Sequence, residues 1–72
     1  MKTKTVLTLK NKEGQPVILT KIQHNNKVTC FKHEPESPIP NGNKEREIPA
    51  AMYDALIKHS GYTEVSREFT RG

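Results

Sequence analysis

Cys30 and His33 stand three residues apart in the stretch Cys30-Phe31-Lys32-His33, with His24 upstream and His59 downstream. Thiolate and imidazole are the groups that hold zinc, or that make a nucleophile and its base. The stretch reads as a strand, however. Residues three apart on a regular strand face opposite sides, so one ion cannot take both without a bulge. Cys30 is the sole cysteine, so no tetrahedral zinc signature is complete and no internal disulfide can form. It reads instead as a small buried hydrophobe, with His33 at a strand end. A catalytic Cys30 would need His24 or His59 brought to it by the fold, and a third group to orient that base. Glu45 with Glu47, and Asp54 with Glu64, are the carboxylate pairs available for acid–base work; helix flanks and sheet faces account for the same charges. The chain contains no G-x-S-x-G elbow, P-loop or dinucleotide fingerprint. With 72 residues it can hardly enclose a substrate pocket. The expectation is a protein that is not an enzyme, with no metal, no cofactor and no small-molecule substrate.

The elements that position these residues follow from period and punctuation. Residues 3–10 alternate as a strand, with Thr5, Leu7 and Leu9 on one face and Lys4, Val6, Thr8 and Lys10 on the other. Asn11-Lys12-Glu13-Gly14 reads as a hairpin turn in which Gly14 takes the left-handed position. Pro16–Gln23 is the return strand, with proline at its start where a missing N–H is tolerated. His24–Lys27 is a second turn, since asparagine accepts positive φ. Residues 27–33 form a third strand, with Val28 and Cys30 on one face and Thr29 and Phe31 on the other. Residues 34–47, with three prolines and an Asn41-Gly42-Asn43 turn, read as a long loop. A helix over 49–60 follows, with Pro49 in its first turn and Gly61 just past its end. Its apolar stripe is Met52, Ala55, Leu56 and His59, widened by Tyr53 and Ile57; Ile48 is placed to pack on Met52 as a staple. Residues 62–70 alternate as a last strand. The chain therefore reads as one α+β domain over 1–72, in the order β-β-β-α-β. It is a small antiparallel sheet, a three-stranded meander plus a C-terminal strand, with one helix packed on one face.

The second strand poses the main question, because it is apolar on both faces. Val17 and Leu19 point one way, Ile18 and Ile22 the other. One helix of about 12 residues, about 18 Å long, cannot roof both sides. Val17 and Leu19 are the better inward pair if Leu7 and Leu9 also face the helix, and a slip of one residue would exchange the rows. Ile18, Ile22 and Thr20 between them are then the candidate partner-binding residues. Their cover would be Ile39 of the loop folded back as a lid, another chain or a second copy; the remaining alternative is that the row is simply left exposed, as scattered surface hydrophobes are.

Charge is unevenly spread. Residues 1–33 carry seven lysines against Glu13, and residues 34–72 carry five basic groups against seven acidic ones, so a first part of +6 and a second of −2 make the net +4. Lys2, Lys4 and Lys10 share a strand face, and Lys27 or Lys32 can join them across the sheet as a basic rim or a nucleic-acid contact. Base readout is poorly served, since the first part has no arginine and Phe31 is its one aromatic ring. Pro35–Pro38 matches P-x-x-P, but Glu34 and Glu36 are the wrong flank for a proline-helix reader, and the segment reads as a stiff linker. One unpaired thiol suits a reducing cytoplasm, and Met1 leads straight into a Lys/Thr-rich strand pattern with no spanning segment in view.

Residues 47–65, EIPAAMYDALIKHSGYTEV, are similar in rhythm to the endings of small phage or prophage accessory proteins. The resemblance implies a bacterial or phage cytoplasm and carries over no site residues. The sequence thus leads to a cytoplasmic, non-enzymatic protein-binding module, such as an inhibitor, adaptor or assembly accessory protein, or to a homodimer. The alternative is a nucleic-acid-binding protein that uses the lysine-rich sheet. No membrane partner is expected.

Overall fold

The computed structural model describes residues 2–37 and 44–71. Five strands and one helix run in the order β1 (Lys2–Lys10), β2 (Pro16–His24), β3 (Lys27–His33), β4 (Arg46–Ile48), α1 (Ala50–Lys58) and β5 (Thr63–Arg71). They build one antiparallel sheet with spatial order β4-β3-β2-β1-β5. The first four strands are a meander, and α1 carries the chain from one edge of the sheet to the other. The α+β class and the single helix on one face agree with the sequence reading.

Register decides which side chains meet. Leu7 lies opposite Leu19, and Leu9 opposite Val17. Lys21 lies opposite Cys30, which lies opposite Ile48. Opposed residues of antiparallel strands share a face, so all of these lie on the side that α1 covers. Leu7, Leu9, Val17, Leu19, Cys30 and Tyr53 form the buried core, with Ile48, Leu56, Ile57 and Tyr62 packed around it. Val17 and Leu19 are 0% exposed; at about 1.5–3 kcal/mol for each fully buried aliphatic side chain, the three leucines and the one valine of the core are its main source of stabilisation.

The turns form for the reasons their residues announce. Gly14 has φ +81°, a conformation that costs a residue bearing a Cβ about 1–2 kcal/mol. Asn11 holds the same turn from its side chain: Oδ1 accepts the N–H groups of Glu13 and Gln15, each at 2.9 Å. In the second turn Asn25 takes φ +56°.

Three local expectations need correction. Pro49 precedes the helix and does not sit inside it; its ψ is 150° and its carbonyl accepts the first helical N–H, from Tyr53. The helix is therefore nine residues, about 13.5 Å long. The inward stripe of α1 is Tyr53, Leu56 and Ile57, while Met52, Ala55 and His59 are exposed. Rotation by about one residue places the largest ring against Cys30 and leaves Ile48 no buried Met52 to staple. Residues 46–47, assigned to the loop, belong to the extra strand β4. Three residues are too few to show a period, and it is the pairing with Cys30–Lys32 that makes them a strand. Pro38, Ile39 and the Asn41-Gly42-Asn43 turn lie outside the described residues, and so does the lid role given to Ile39.

A net stability of about 4–11 kcal/mol is usual at this chain length. Leu19→Ala should therefore remove about 2–5 kcal/mol and leave the domain largely unfolded in mild urea. Ile18→Ala, on the uncovered side, should cost less than half as much. Urea titrations followed by circular dichroism distinguish the two, and equal losses would show that the rows had been assigned to the wrong faces.

Candidate functional site: the uncovered sheet face

The side of the sheet away from α1 can be written out row by row from the register. Its central row runs Glu68, Val6, Thr20, Phe31, Glu47 across all five strands. On one side of it stand Ser66, Thr8, Ile18 and His33, and on the other Thr70, Lys4, Ile22 and Thr29. Beyond these come Lys2, His24 and Lys27 at one end, and Thr63, Lys10 and Pro16 at the other. Among the described residues no helix or strand packs over this face. Val6, Ile18, Ile22 and Phe31 are nevertheless only half-exposed, and Thr20 at the centre is 8% exposed. Neighbouring β-branched and aromatic side chains within the sheet shelter one another.

Ile18, Thr20 and Ile22 therefore stand together on the uncovered face. Thr20 sits between Val6 and Phe31, two residues that belong to the same patch and that sequence reasoning did not single out. The signal existed, since Val6 and Phe31 each break an otherwise polar face of their strand, but only the register shows that they meet.

The lysines divide. Lys2, Lys4 and Lys27 lie at one end of this face. Lys10 shares the face but stands eight residues along β1 from Lys2, about 27 Å away, too far to act with it. Lys32 does not belong to the rim. It lies opposite Leu19 on the helix side, and its Nζ is 3.0 Å from Glu34 Oε1 in a half-buried ion pair.

Between the ends of β1, β2 and β3 the basic row frames an open hollow of about 390 Å³, lined by Lys2, Ile22, His24, Asn25, Lys27 and Thr29. An adjoining hollow of about 290 Å³ is lined by Lys2, Thr3, Lys4 and Thr70. Among the described residues that line them, neither contains a carboxylate. The acids of this face, Glu47 and Glu68, stand at its two lateral edges.

The groups considered for catalysis are dispersed. Cys30 faces the helix and His33 the open side, as their spacing requires. His59 caps the C-terminal end of α1, and His24 lies at the β2–β3 turn. Glu64 is engaged by Arg67 Nη2 at 3.0 Å. The two residues are three apart yet share a face, because a bulge in β5 inserts Val65 between the partners of Thr8 and Leu9. Among the described residues no three histidine, cysteine or acidic side chains gather as metal ligands would, and no helix is long and apolar enough to cross a membrane.

Beneath α1, burial pushes the Cys30 thiol above its ordinary range, opposed by the nearby Lys21 ammonium and reinforced by Asp54. Burial likewise raises the Tyr53 phenol, with Cys30 adding to the effect and Arg67 opposing it. Lys21 Nζ stands 5.8 Å from the centroid of the Tyr53 ring, within cation–π range. A raised thiol pKa disfavours the thiolate, so Cys30 is suited to packing and poorly suited to attack.

These shifts fix a pH dependence. Below the unfolded-state pKa both folded and unfolded chains hold the proton, and the stabilisation is intact. As pH rises past about 8.5 for the thiol and about 10 for the phenol, the unfolded chain ionises first and stability falls. Urea midpoints should therefore decline through this alkaline window, with a shallower decline in Cys30→Ala. Iodoacetamide should label Cys30 at pH 8 only when the chain is unfolded, and rapid labelling of the native chain would contradict its burial. Compared with known families, curated proteins and solved structures, the chain matches none.

Proposed function

We propose that this protein is a small non-enzymatic module that binds another protein through the uncovered face of its sheet. The observation that carries the reading is the patch of Val6, Ile18, Ile22 and Phe31 around Thr20, apolar at its centre and polar at its rim. Surfaces of that composition are where proteins meet. A domain with so small a core gains little from spending four large apolar side chains on a side that its own helix does not roof. Docking would remove them from water at about 25 cal/mol per Å². An inhibitor, an adaptor or an assembly accessory protein of a bacterial or phage cytoplasm works in this way, by occupying a surface.

Nucleic acid is the second reading, favoured by the clustering of Lys2, Lys4, His24 and Lys27. Against it stand Glu47 and Glu68 at both lateral edges, where a phosphate backbone crossing the sheet would meet them, and the single aromatic ring.

A benzophenone amino acid placed at position 18, in cells that make the protein, should crosslink to a discrete protein. The same group at position 13, on the hairpin, should not. Nuclease-sensitive adducts, or equal adducts from both positions, would defeat the proposal. In binding assays Ile18→Asp should weaken the complex by more than tenfold, and more than Lys4→Glu does. The reverse order, with steep loss of affinity in salt, is the signature of nucleic acid.

A further inference from the structure

We infer that the hollow framed by Lys2, His24 and Lys27 is an anion-binding corner of this face, and that the partner seats an acidic protein segment there, beside an apolar residue that rests on Ile22. The inference rests on the protein-binding reading and adds the chemistry of the partner.

Three observations meet at this corner. The first is the basic row itself. Lys2, His24 and Lys27 are consecutive cross-strand neighbours, so they stand about 4.8 Å apart from strand to strand. Lys4 lies one row inward on the same face. The second is the want of an acid among the described lining residues. None of these residues in either hollow is a carboxylate, whereas Lys32 and Arg67 elsewhere each have an acid at 3.0 Å. Lys2 and Lys27 flank His24 and stand two strands apart, about 9.6 Å between their backbones, and a carboxylate set between their ammonium groups takes charge-assisted hydrogen bonds from both. The third is the composition of the floor. Ile22 and Thr29 are half-buried and continue the apolar patch into the hollow, so a ligand that reaches the lysines lies against both. A hollow of about 390 Å³ takes one or two side chains and is far smaller than the footprint of a duplex.

A second copy of the chain fits less well. If two such faces stack with their strands aligned, a twofold axis along the strands sets Glu68 over the partner copy's Glu47. A twofold axis across the strands sets Glu68 over its own counterpart and Lys2 over Lys10. Both put like charges together, and a heterologous acidic segment does not. Nucleic acid meets the same two glutamates.

The test is a titration of the isotope-labelled full chain, followed by amide shifts in nuclear magnetic resonance. The probes are an end-blocked Glu-Leu-Glu-Glu-Leu peptide, its Lys-Leu-Lys-Lys-Leu counterpart, a thymidine hexanucleotide and inorganic phosphate. The acidic peptide should shift the amides of residues 2–4, 22–27 and 29. Its affinity should fall about tenfold in Lys27→Glu and several-fold between about 50 and about 300 mM salt, and should be unchanged in Lys12→Glu, at the opposite end of the sheet. Ile22→Ala should weaken the peptide more than it weakens phosphate. Equal response to both peptides, shifts centred elsewhere, tighter binding of the oligonucleotide, or phosphate matching the peptide would each overturn the inference. If the acidic peptide fails while position 18 still crosslinks to a protein, the corner is wrong and the binding face stands. If position 18 fails as well, both fall. Light scattering at two concentrations adds an independent arm: a dimer dissolved by Ile18→Asp would make the occupant a second copy.

Discussion

The phase of β2 governs this molecule. Leu7 opposite Leu19 and Leu9 opposite Val17 lock the pleat so that one row of β2 lies under Tyr53 and the other is turned away. A slip of one residue would put Ile18 and Ile22 beneath the helix and carry Lys21, which lies against the Tyr53 ring, to the open side. It would also bring Thr20, the polar member of that row, into the core. The observed phase satisfies more groups at once: two fully buried aliphatics inward, an ammonium against an aromatic ring, and a threonine sheltered among β-branched neighbours. With that phase set, pairing alone distributes almost every other side chain. The placing of Cys30 under the helix, the grouping of Lys2 with Lys27 and the exclusion of Lys32 from the rim follow from that phase carried through the register of β1, β2 and β3.

Much of this was legible in the residues, and what was not has identifiable causes. Strong alternation and turn chemistry locate the first three strands, because Gly14 and Asn25 allow backbone conformations that few other residues tolerate. The inward choice of Val17 and Leu19 follows from matching them to Leu7 and Leu9. The strand β4 was hidden because Arg46-Glu47-Ile48 has no preference strong enough to announce itself; its strand geometry comes from a partner. The helix stripe was displaced because Met52 and Tyr53 are adjacent, and a period of 3.6 fits either one. Tyr53 prevails by filling the space over Cys30. Lys32 was misplaced because position on a strand gives parity only relative to a neighbour, and the neighbour was not yet fixed. The candidate face is legible as a row and illegible as a surface: Ile18, Thr20 and Ile22 share one face of one strand, while their meeting with Val6, Phe31 and the corner at His24 needs three strands in register.

The edges of the sheet bear on what this face can join. β4 is three residues long, too short to template another strand. β5 is nine residues long with every residue exposed, which would ordinarily invite pairing with a second copy. Its own sequence opposes that. Two antiparallel copies related by a twofold axis through the sheet must pair residues that share a face. Centred at Arg67, the pairing sets arginine against arginine; centred at Glu68, glutamate against glutamate; centred at Phe69, Arg67 against Arg71. Centred at Ser66, it runs into the bulge at Val65. Like charges directly opposite are destabilising, and bulges break the ladder. A pairing centred at Thr70 opposes no like charges but engages only Phe69, Thr70 and Arg71 of β5; over the rest of the long edge, charge order and one extra residue stand guard, which favours the broad face as the surface open to a partner.

The same charges that guard the edges also shape the face. Glu68 on β5 and Glu47 on β4 close the central row at both sides, so its lateral approaches are acidic while one end, at Lys2, His24 and Lys27, is basic. The field across the apolar patch therefore runs along the strands and not across them. If the protein-binding proposal holds, a partner steered by that field would arrive with a preferred direction, its acidic part toward the β2–β3 turn, and its apolar part would then be laid along Ile22, Thr20 and Ile18 in strand order. Orientation would thus be set before the apolar contacts close, as complementary charge does in many interfaces. Affinity would come mainly from the patch, because exposed lysines contribute about 1 kcal/mol or less each. Lysines at one end with an oily row leading away from them specify both an end and a direction, and neither half alone would do so.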